Sequence, residues 1–355
     1  MIVVKGKLKI NNSIKIALSI LLVVCIIAGN ALFVDFYSFK EEDALAVNSD
    51  LYSSRSVYIG GMAVGLSVKS DGVVVTALGE VETAYGKTIP KSNLEVGDVI
   101  VEIGGESIKT TQDITKHLRA LKKEKGSLEL KILRDSKAKT ITAYPAIEQY
   151  TEYFSLGIVT KDFLEGIGTV TFIRPTGEFA SLGHPINSSD GKLIIPSSGG
   201  NVYGCRIVGF NKGKKGNPGE LKGTFTQTGN IEGKVIENTR FGVVGKFNAG
   251  GSTELVEIGN RHEVKTGKAH IITTIKDKPE KFEVEIIKVN PQSSPSEKGI
   301  VVKVTDKRLL EATGGIVSGM SGSPIIQNGK LVAAVTHVFV SDPAKGYGVY
   351  IDWMY

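Results

Sequence analysis

Cysteine is nearly absent. The 355 residues include two, Cys25 and Cys205, which excludes a disulfide-dense scaffold and a cysteine-based zinc site. Proline is low at 11, so the chain is neither collagen-like nor a low-complexity linker. Neither sign of charge dominates: 43 Lys and Arg face 37 Asp and Glu, for a net charge of +6. The two signs are mixed along the chain without a basic stripe, so no nucleic-acid partner is expected. There is no His-Glu-x-x-His, and none of His117, His184, His262, His270 and His337 stands four residues from another. That disfavours a metal hydrolase, and neither metal nor cofactor is expected. Glycine is what the chain has in excess, 42 of 355, or about 12% against a usual ~7%. With 41% hydrophobic and 23% charged residues, this describes a globular protein of about two domains, built from short strands and turns.

Residues 17–34, ALSILLVVCIIAGNALFV, carry no charge, and their length is near the lower limit for a membrane-spanning helix. Lys5, Lys7, Lys9 and Lys15 precede them, and Asp35, Lys40, Glu41, Glu42 and Asp43 follow. Positive charge stays on the cytoplasmic side. The expectation is a cytoplasmic tail (1–15), a signal-anchor helix (16–34), a polar tether (35–55) and an extracytoplasmic remainder. The rivals are a cleaved signal peptide, for which Ala28-Gly29-Asn30-Ala31 offers small residues, and a buried helix.

Residues 56–146 read as a first domain. A Gly-rich loop leads into strands at 64–69 and 73–77, joined by a turn at Asp71-Gly72. Strand 99–103 and a Gly104-Gly105 hairpin follow. A helix is expected over 111–122, with Ile114, Leu118 and Leu121 on one side and Thr110 or Thr111 as N-cap. Two strands, 128–134 and 139–144, close the domain. The run Leu94-Glu95-Val96-Gly97-Asp98-Val99-Ile100, followed by Ile103-Gly104-Gly105, resembles a PDZ domain. The resemblance implies peptide binding by strand addition, with backbone N–H groups capturing a terminal carboxylate. It places that loop at Gly61, Met62, Ala63 and Val64, where Gly-Met-Ala-Val replaces the usual Gly-Leu-Gly-Phe. His117 stands beside the apolar stripe of the helix and reads equally as a peptide contact or a solvated side chain.

From 147 to 355 strand candidates dominate, among them 168–173, 192–196, 242–247, 282–289 and 300–304, with a short helix expected at 305–313. Many short strands at this spacing argue a barrel or sandwich. Gly319-Met320-Ser321-Gly322-Ser323-Pro324 resembles the Gly-Asp-Ser-Gly-Gly-Pro nucleophile loop of chymotrypsin-like serine peptidases. The glycines let the N–H groups of Gly319 and Ser321 serve as an oxyanion hole. A serine nucleophile needs a base. His184, in Leu182-Gly183-His184-Pro185, sits where an apolar stretch turns into a loop, and His337, on the strand after the nucleophile, is the alternative. His337 is also a candidate for the wall of the S1 pocket. For the carboxylate that orients the base, Asp306 ends an apolar strand 15 residues before Ser321, and Asp342, Asp352, Asp162 and Asp190 compete.

Taken together, the apolar N-terminal run, the PDZ-like domain, Leu182-Gly183-His184-Pro185 and the block Thr313-Gly314-Gly315-Ile316-Val317-Ser318-Gly319-Met320-Ser321-Gly322-Ser323-Pro324-Ile325 resemble the stage IV sporulation protein B serine peptidase family of spore-forming Gram-positive bacteria. The fold this implies is mainly β: a transmembrane helix, a PDZ domain and a chymotrypsin-like double β-barrel. The resemblance implies a membrane-tethered serine endopeptidase with Ser321, His184 and Asp306 in its triad. It would act between the forespore and mother-cell membranes and cleave a membrane-bound sporulation regulator, so releasing pro-sigma factor processing. Members also cleave themselves, which would free the catalytic part from its anchor. The rival reading is a non-catalytic PDZ module on a peptidase-like scaffold. The intact Gly-Ser-Gly loop and Gly-His motif speak against it.

Overall fold

The computed structural model describes residues 55–121, 126–135, 137–187, 197, 199–225, 231–248 and 255–355. The apolar run at 17–34, the strand expected at 192–196 and Asp190 lie outside the described residues, and no described helix is long and apolar enough to cross a membrane. The described chain is mainly β.

The first main strand, β1 (Ala63–Leu78), is the largest departure from expectation. Where the Asp71-Gly72 pair suggested a hairpin, the backbone runs on as one 16-residue strand. Its two halves belong to different cores. The second half joins the PDZ-like domain, made of β2 (Val99–Ile103), helix α1 (Thr111–Ala120), β3 (Leu128–Arg134) and β4 (Lys137–Tyr144). Val73, Val75, Ile100, Ile103, Leu130 and Ile132 pack beneath Ile114 and Leu118 of the helix. Thr110 is the N-cap: it accepts from Asp113 N–H, and the Asp113 carboxylate returns the bond to Thr110 N–H at 2.8 Å. The Val-Gly-Asp turn is held from within. Asp98, 1% exposed, accepts from Glu95 N–H at 2.9 Å and takes a two-pronged bond from Arg134, both arms 2.7 Å. A buried carboxylate is tolerated only when paired and hydrogen-bonded like this.

The remaining main strands form two rings. They are β5 (Ile158–Ile173), β6 (Glu178–Ser181), β7 (Gly200–Asn211), β8 (Ile231–Thr239), β9 (Gly242–Phe247), β10 (Gly267–Thr274), β11 (Pro279–Val289), β12 (Ile300–Val304), β13 (Pro324–Gln327), β14 (Lys330–Val338) and β15 (Lys345–Tyr350). The first half of β1 pairs with β5, and pairing continues through β6, β9, β8 and β7 back to β1. Every step is antiparallel, and the ring closes around Leu66, Val68, Val170, Phe179, Val202, Val235 and Val243. The second ring runs β10, β11, β12, β15, β14, β13 and back to β10. It encloses Ile271, Phe282, Val284, Val302, Ile325 and Val335. Closure removes the sheet edges, and alternating inward residues fill each interior. Helix α2 (Lys307–Thr313) links β12 to the loop before β13.

Candidate active site

Ser321 lies in the loop before β13 of the second ring, and His184 lies just past β6 of the first. The Ser321 loop is tight. Met320 N–H donates to Val317 O, Ser323 N–H to Met320 O and Gly322 N–H to Val335 O, while Ser323 Oγ donates to Met320 O at 2.6 Å. The two N–H groups proposed for an oxyanion hole, those of Gly319 and Ser321, find no acceptor among the described residues. Gly319 and Gly322 have φ of +95° and +93°, a region that side chains disfavour.

Strand β5 holds this loop from the first ring. Thr169 Oγ donates to Gly319 O at 2.9 Å, Thr169 N–H donates to Ser321 O at 2.9 Å, and Thr171 Oγ donates to Gly322 O at 2.8 Å. The residues are two apart, so both hydroxyls lie on one face of the strand. Nothing in the motif reading pointed to either threonine, since a Thr-x-Thr pair in a strand is ordinary.

His184 is delivered by a tight corner. Gly183 N–H donates back to Ser181 O at 2.9 Å around Leu182, whose φ is +69°. Left-handed backbone at a branched apolar residue is strained and persists only where its surroundings impose it. Buried Asn238 fixes the far side: it accepts from Ile186 N–H and donates to Ile186 O, at 2.9 and 2.8 Å. The half-buried ring has its Nδ1 2.9 Å from Pro185 O. A carbonyl only accepts, so Nδ1 carries the proton and Nε2 is left as the basic lone pair. Burial lowers the pKa of His184 below 6.5, against the raising effects of the Pro185 bond and the negative charge of Glu297. Its neutral form therefore prevails at pH 7.

His337 is the immediate neighbour. Its ring packs on that of His184, centroids 4.9 Å apart at 34°. Burial, then the charge that His184 carries when protonated and the positive charge of Lys298, lower its pKa to about 4. Its Nδ1 is buried without a partner among the described residues. Ser321 Oγ itself donates to Thr336 O at 2.7 Å, so the hydroxyl is turned to the backbone of β14.

Asp306 is placed differently from the expectation of an imidazole partner. It is the N-cap of α2, accepting from Arg308 N–H at 2.9 Å and Glu283 N–H at 3.3 Å and pairing with the Arg308 guanidinium at 2.9 Å. Those bonds, the Arg308 side chain first, lower its pKa. The competing aspartates are also engaged elsewhere: Asp342 with Lys345, Asp352 with Arg261 and Asp162 with Thr111. Among the described residues, the carboxylate that raises the pKa of His184 is that of Glu297, which pairs with Arg240 at 3.7 Å. The sequence reading did not single it out.

The PDZ-like domain also differs from expectation. Gly60 and Gly61 N–H donate to Thr171 O and Val170 O, Gly61 O accepts from Thr274, and Met62 O accepts from Val170 N–H. Ala63 and Val64 lie in the first ring, and β1 from Val64 to Val68 is paired on both edges, with β5 and β7. Gly61–Val64 is therefore built into the ring and offers no open edge. Beside α1 the strand is instead the start of β5, which pairs with β1 at Leu78, Ala77, Val75 and Val74. No described strand pairs with the opposite edge of residues 158–165, and Val159 and Phe163 are exposed there. The residues leading into it, Ser155-Leu156-Gly157-Ile158, are a nearer match to Gly-Leu-Gly-Phe than Gly-Met-Ala-Val is. Gly157 has φ +62°, Leu156 N–H has no acceptor among the described residues, and Arg119 of α1 lies over the Tyr153 ring at 5.1 Å. His117 contacts Glu106, at 3.4 Å.

The family model of the SpoIVB peptidase S55 matches residues 152–355, and that of a PDZ domain matches 60–143. The first covers more than half of the chain. The chain belongs to the SpoIVB peptidase S55 family. It is accordingly a serine peptidase carrying a PDZ domain. No curated protein matches it. The peptidase match takes in the His184 corner, the Ser321 loop and all but the first half of β1 in the two rings. The PDZ match stops before Leu156 and Ile158, which the structure packs into the PDZ core.

Proposed function

We propose that this S55 peptidase is a chymotrypsin-like serine endopeptidase in which Ser321 is the nucleophile and His184 the general base. The observation that carries the reading is the Nδ1–Pro185 bond, which leaves Nε2 of a neutral imidazole as the basic nitrogen on the first ring, while on the second ring two N–H groups of the nucleophile loop find no acceptor among the described residues. Turning Ser321 Oγ from Thr336 O toward Nε2 lets His184 take its proton as Oγ attacks the scissile carbonyl. The Gly319 and Ser321 N–H groups stabilise the oxyanion. His184 then gives the proton to the leaving amine, and water hydrolyses the acyl-enzyme by the same route. Glu297 favours the imidazolium electrostatically. Asp306, the aspartate of the family resemblance, supports the helix that leads to the nucleophile loop. His337, whose Nδ1 is buried without a partner among the described residues, is the candidate for the S1 wall, and a substrate side chain would reach that nitrogen once the ring turns. A fluorophosphonate probe tests the assignment. Wild type should label at Ser321, and Ser321→Ala and His184→Ala should lose roughly 10⁴-fold or more; a normally labelled His184→Ala would refute the base.

The lysines before residue 17 and the acids after 34 support a membrane-tethered enzyme with its catalytic part outside the cytoplasm. Family membership supports a sporulation role, with a membrane-bound regulator and the chain itself as substrates and pro-sigma factor processing as the outcome. The PDZ domain supports recognition of an extended peptide, which the open edge at 158–165 would accept by strand addition. A reporter fused after Tyr355 should be active only outside the cytoplasm.

A further inference from the structure

Strand β5 is one continuous 16-residue strand with a different attachment at each end. Near its start, helix α1 is fastened to it. Thr111 N–H and Thr111 Oγ donate to Asp162 Oδ1 at 2.7 and 2.6 Å, and the Thr111 and Thr160 hydroxyls meet at 3.0 Å. Asp162 thereby satisfies a first-turn N–H of α1 and places its charge at the positive end of the helix. Near its end, Thr169 and Thr171 hold the carbonyls of Gly319, Ser321 and Gly322. Asp162 and Thr169 stand seven positions apart, roughly 23 Å of strand.

We propose that Thr169 and Thr171 are positioning residues for the nucleophile loop, and that β5 couples them to helix α1 through the Thr111–Asp162 latch. The proposal rests on the serine peptidase reading and adds how the nucleophile is regulated. With the latch closed, Ser321 Oγ is turned to Thr336 O, a resting arrangement. Thr111 approaches β5 at Thr160 and Asp162, within the stretch whose second edge no described strand occupies. A peptide adding there must part Thr111 from the strand. The released strand shifts against the nucleophile loop, and Thr169, bonded to that loop through both its backbone and its side chain, carries the shift to Ser321. The PDZ domain thus acts on the nucleophile through one covalently continuous strand.

The test uses the full-length chain in detergent and needs no peptide. Thr111→Val and Asp162→Ala open the latch. Thr169→Val removes the loop-holding hydroxyl, and Thr169→Ser restores it. Two quantities are read: the rate of fluorophosphonate labelling of Ser321, and backbone hydrogen exchange of the segment 317–323, which is followed in the Ser321→Ala background as well. Each latch variant should raise labelling fivefold or more and raise exchange at 317–323. Thr169→Val should abolish both responses to latch opening, and Thr169→Ser should recover them. Latch variants that label within twofold of wild type or more slowly, with unchanged exchange at 317–323, would overturn the proposal. So would effects additive with Thr169→Val, because coupled residues are non-additive. If wild type takes no probe, the peptidase reading fails. The exchange measurement in Ser321→Ala still decides the coupling, and thermal melts identify any variant that has lost its fold.

Discussion

Gly322→Ala is the sharpest test of how the nucleophile is built. A Cβ on Gly322 would stand 2.0 Å from Thr169 O and 2.4 Å from Leu182 N. Non-bonded carbon and oxygen do not approach closer than about 3 Å, so something must yield by ~1 Å. Neither obstacle is a flexible side-chain end. One is the backbone of the strand that holds the nucleophile loop; the other belongs to the strained corner that delivers His184. The displacement therefore falls between nucleophile and base, where ~1 Å of misplacement costs on the order of 10²-fold in rate. The positive φ adds roughly 1 kcal/mol of strain. Gly329→Ala separates the two effects. Gly329 also has positive φ, +77°, but a Cβ there meets nothing within 4 Å, so it should lose about 1 kcal/mol and keep its reactivity. Both variants would be compared by thermal denaturation and fluorophosphonate labelling. Gly322→Ala should label at least a hundredfold more slowly while still melting cooperatively. Labelling of Gly322→Ala within threefold of wild type would refute the geometry argued for the loop.

Four further outcomes are expected. Because burial lowers the pKa of His184 below 6.5, kcat/KM should stay high as pH falls to 6.5 and decline only below it; half-maximal activity above pH 6.5 would contradict a buried neutral base. His337 is held neutral, at about 4, so its contribution to stability is complete above 6.5 and is lost as pH falls toward 4, by at most roughly 3 kcal/mol; melts of His337→Gln should lack that loss. Asp306→Asn should keep the fold and label within tenfold of wild type, because asparagine caps a helix as well as aspartate does, whereas a drop near 10⁴-fold would make Asp306 the imidazole partner. Self-cleavage in the tether should give a soluble product beginning within residues 44–56 by mass spectrometry, from wild type but not from Ser321→Ala alone; equal processing of both would assign the cut to another protease.

Local chemistry was the part legible from sequence. Helix α1, its Thr110 cap and the Gly104-Gly105 turn follow from patterns only a few residues long. The order of the His184 corner and the Ser321 loop also showed in their glycines, because tight backbone at a nucleophile or a strand corner requires them. What failed depended on pairing across long separations. Asp71-Gly72 is a good hairpin signal, yet the two halves of β1 find better partners elsewhere: Val64–Val68 lies between β5 and β7, and Val73 and Val74 pair with β2. Two interiors competed for one strand, and no local pattern records the outcome.

The same competition explains why the peptide edge was misplaced. Once Gly61–Val64 is drawn into the first ring, the position beside Val74–Leu78 is left for another strand. Residues 158–161 take it, antiparallel, and bring Leu156 and Ile158 into the PDZ core. Because β5 continues to Ile173, the strand that completes the PDZ sheet is also a wall of the ring that holds Thr169 against the Ser321 loop. Had the Asp71-Gly72 hairpin formed, the PDZ domain would have closed on its own residues and joined the peptidase only through a linker. As folded, it shares both β1 and β5 with the first ring, so displacement of either strand on the PDZ side runs along a covalently continuous chain to the catalytic side, past the register breaks at Val159/Thr160 and Lys161/Phe163.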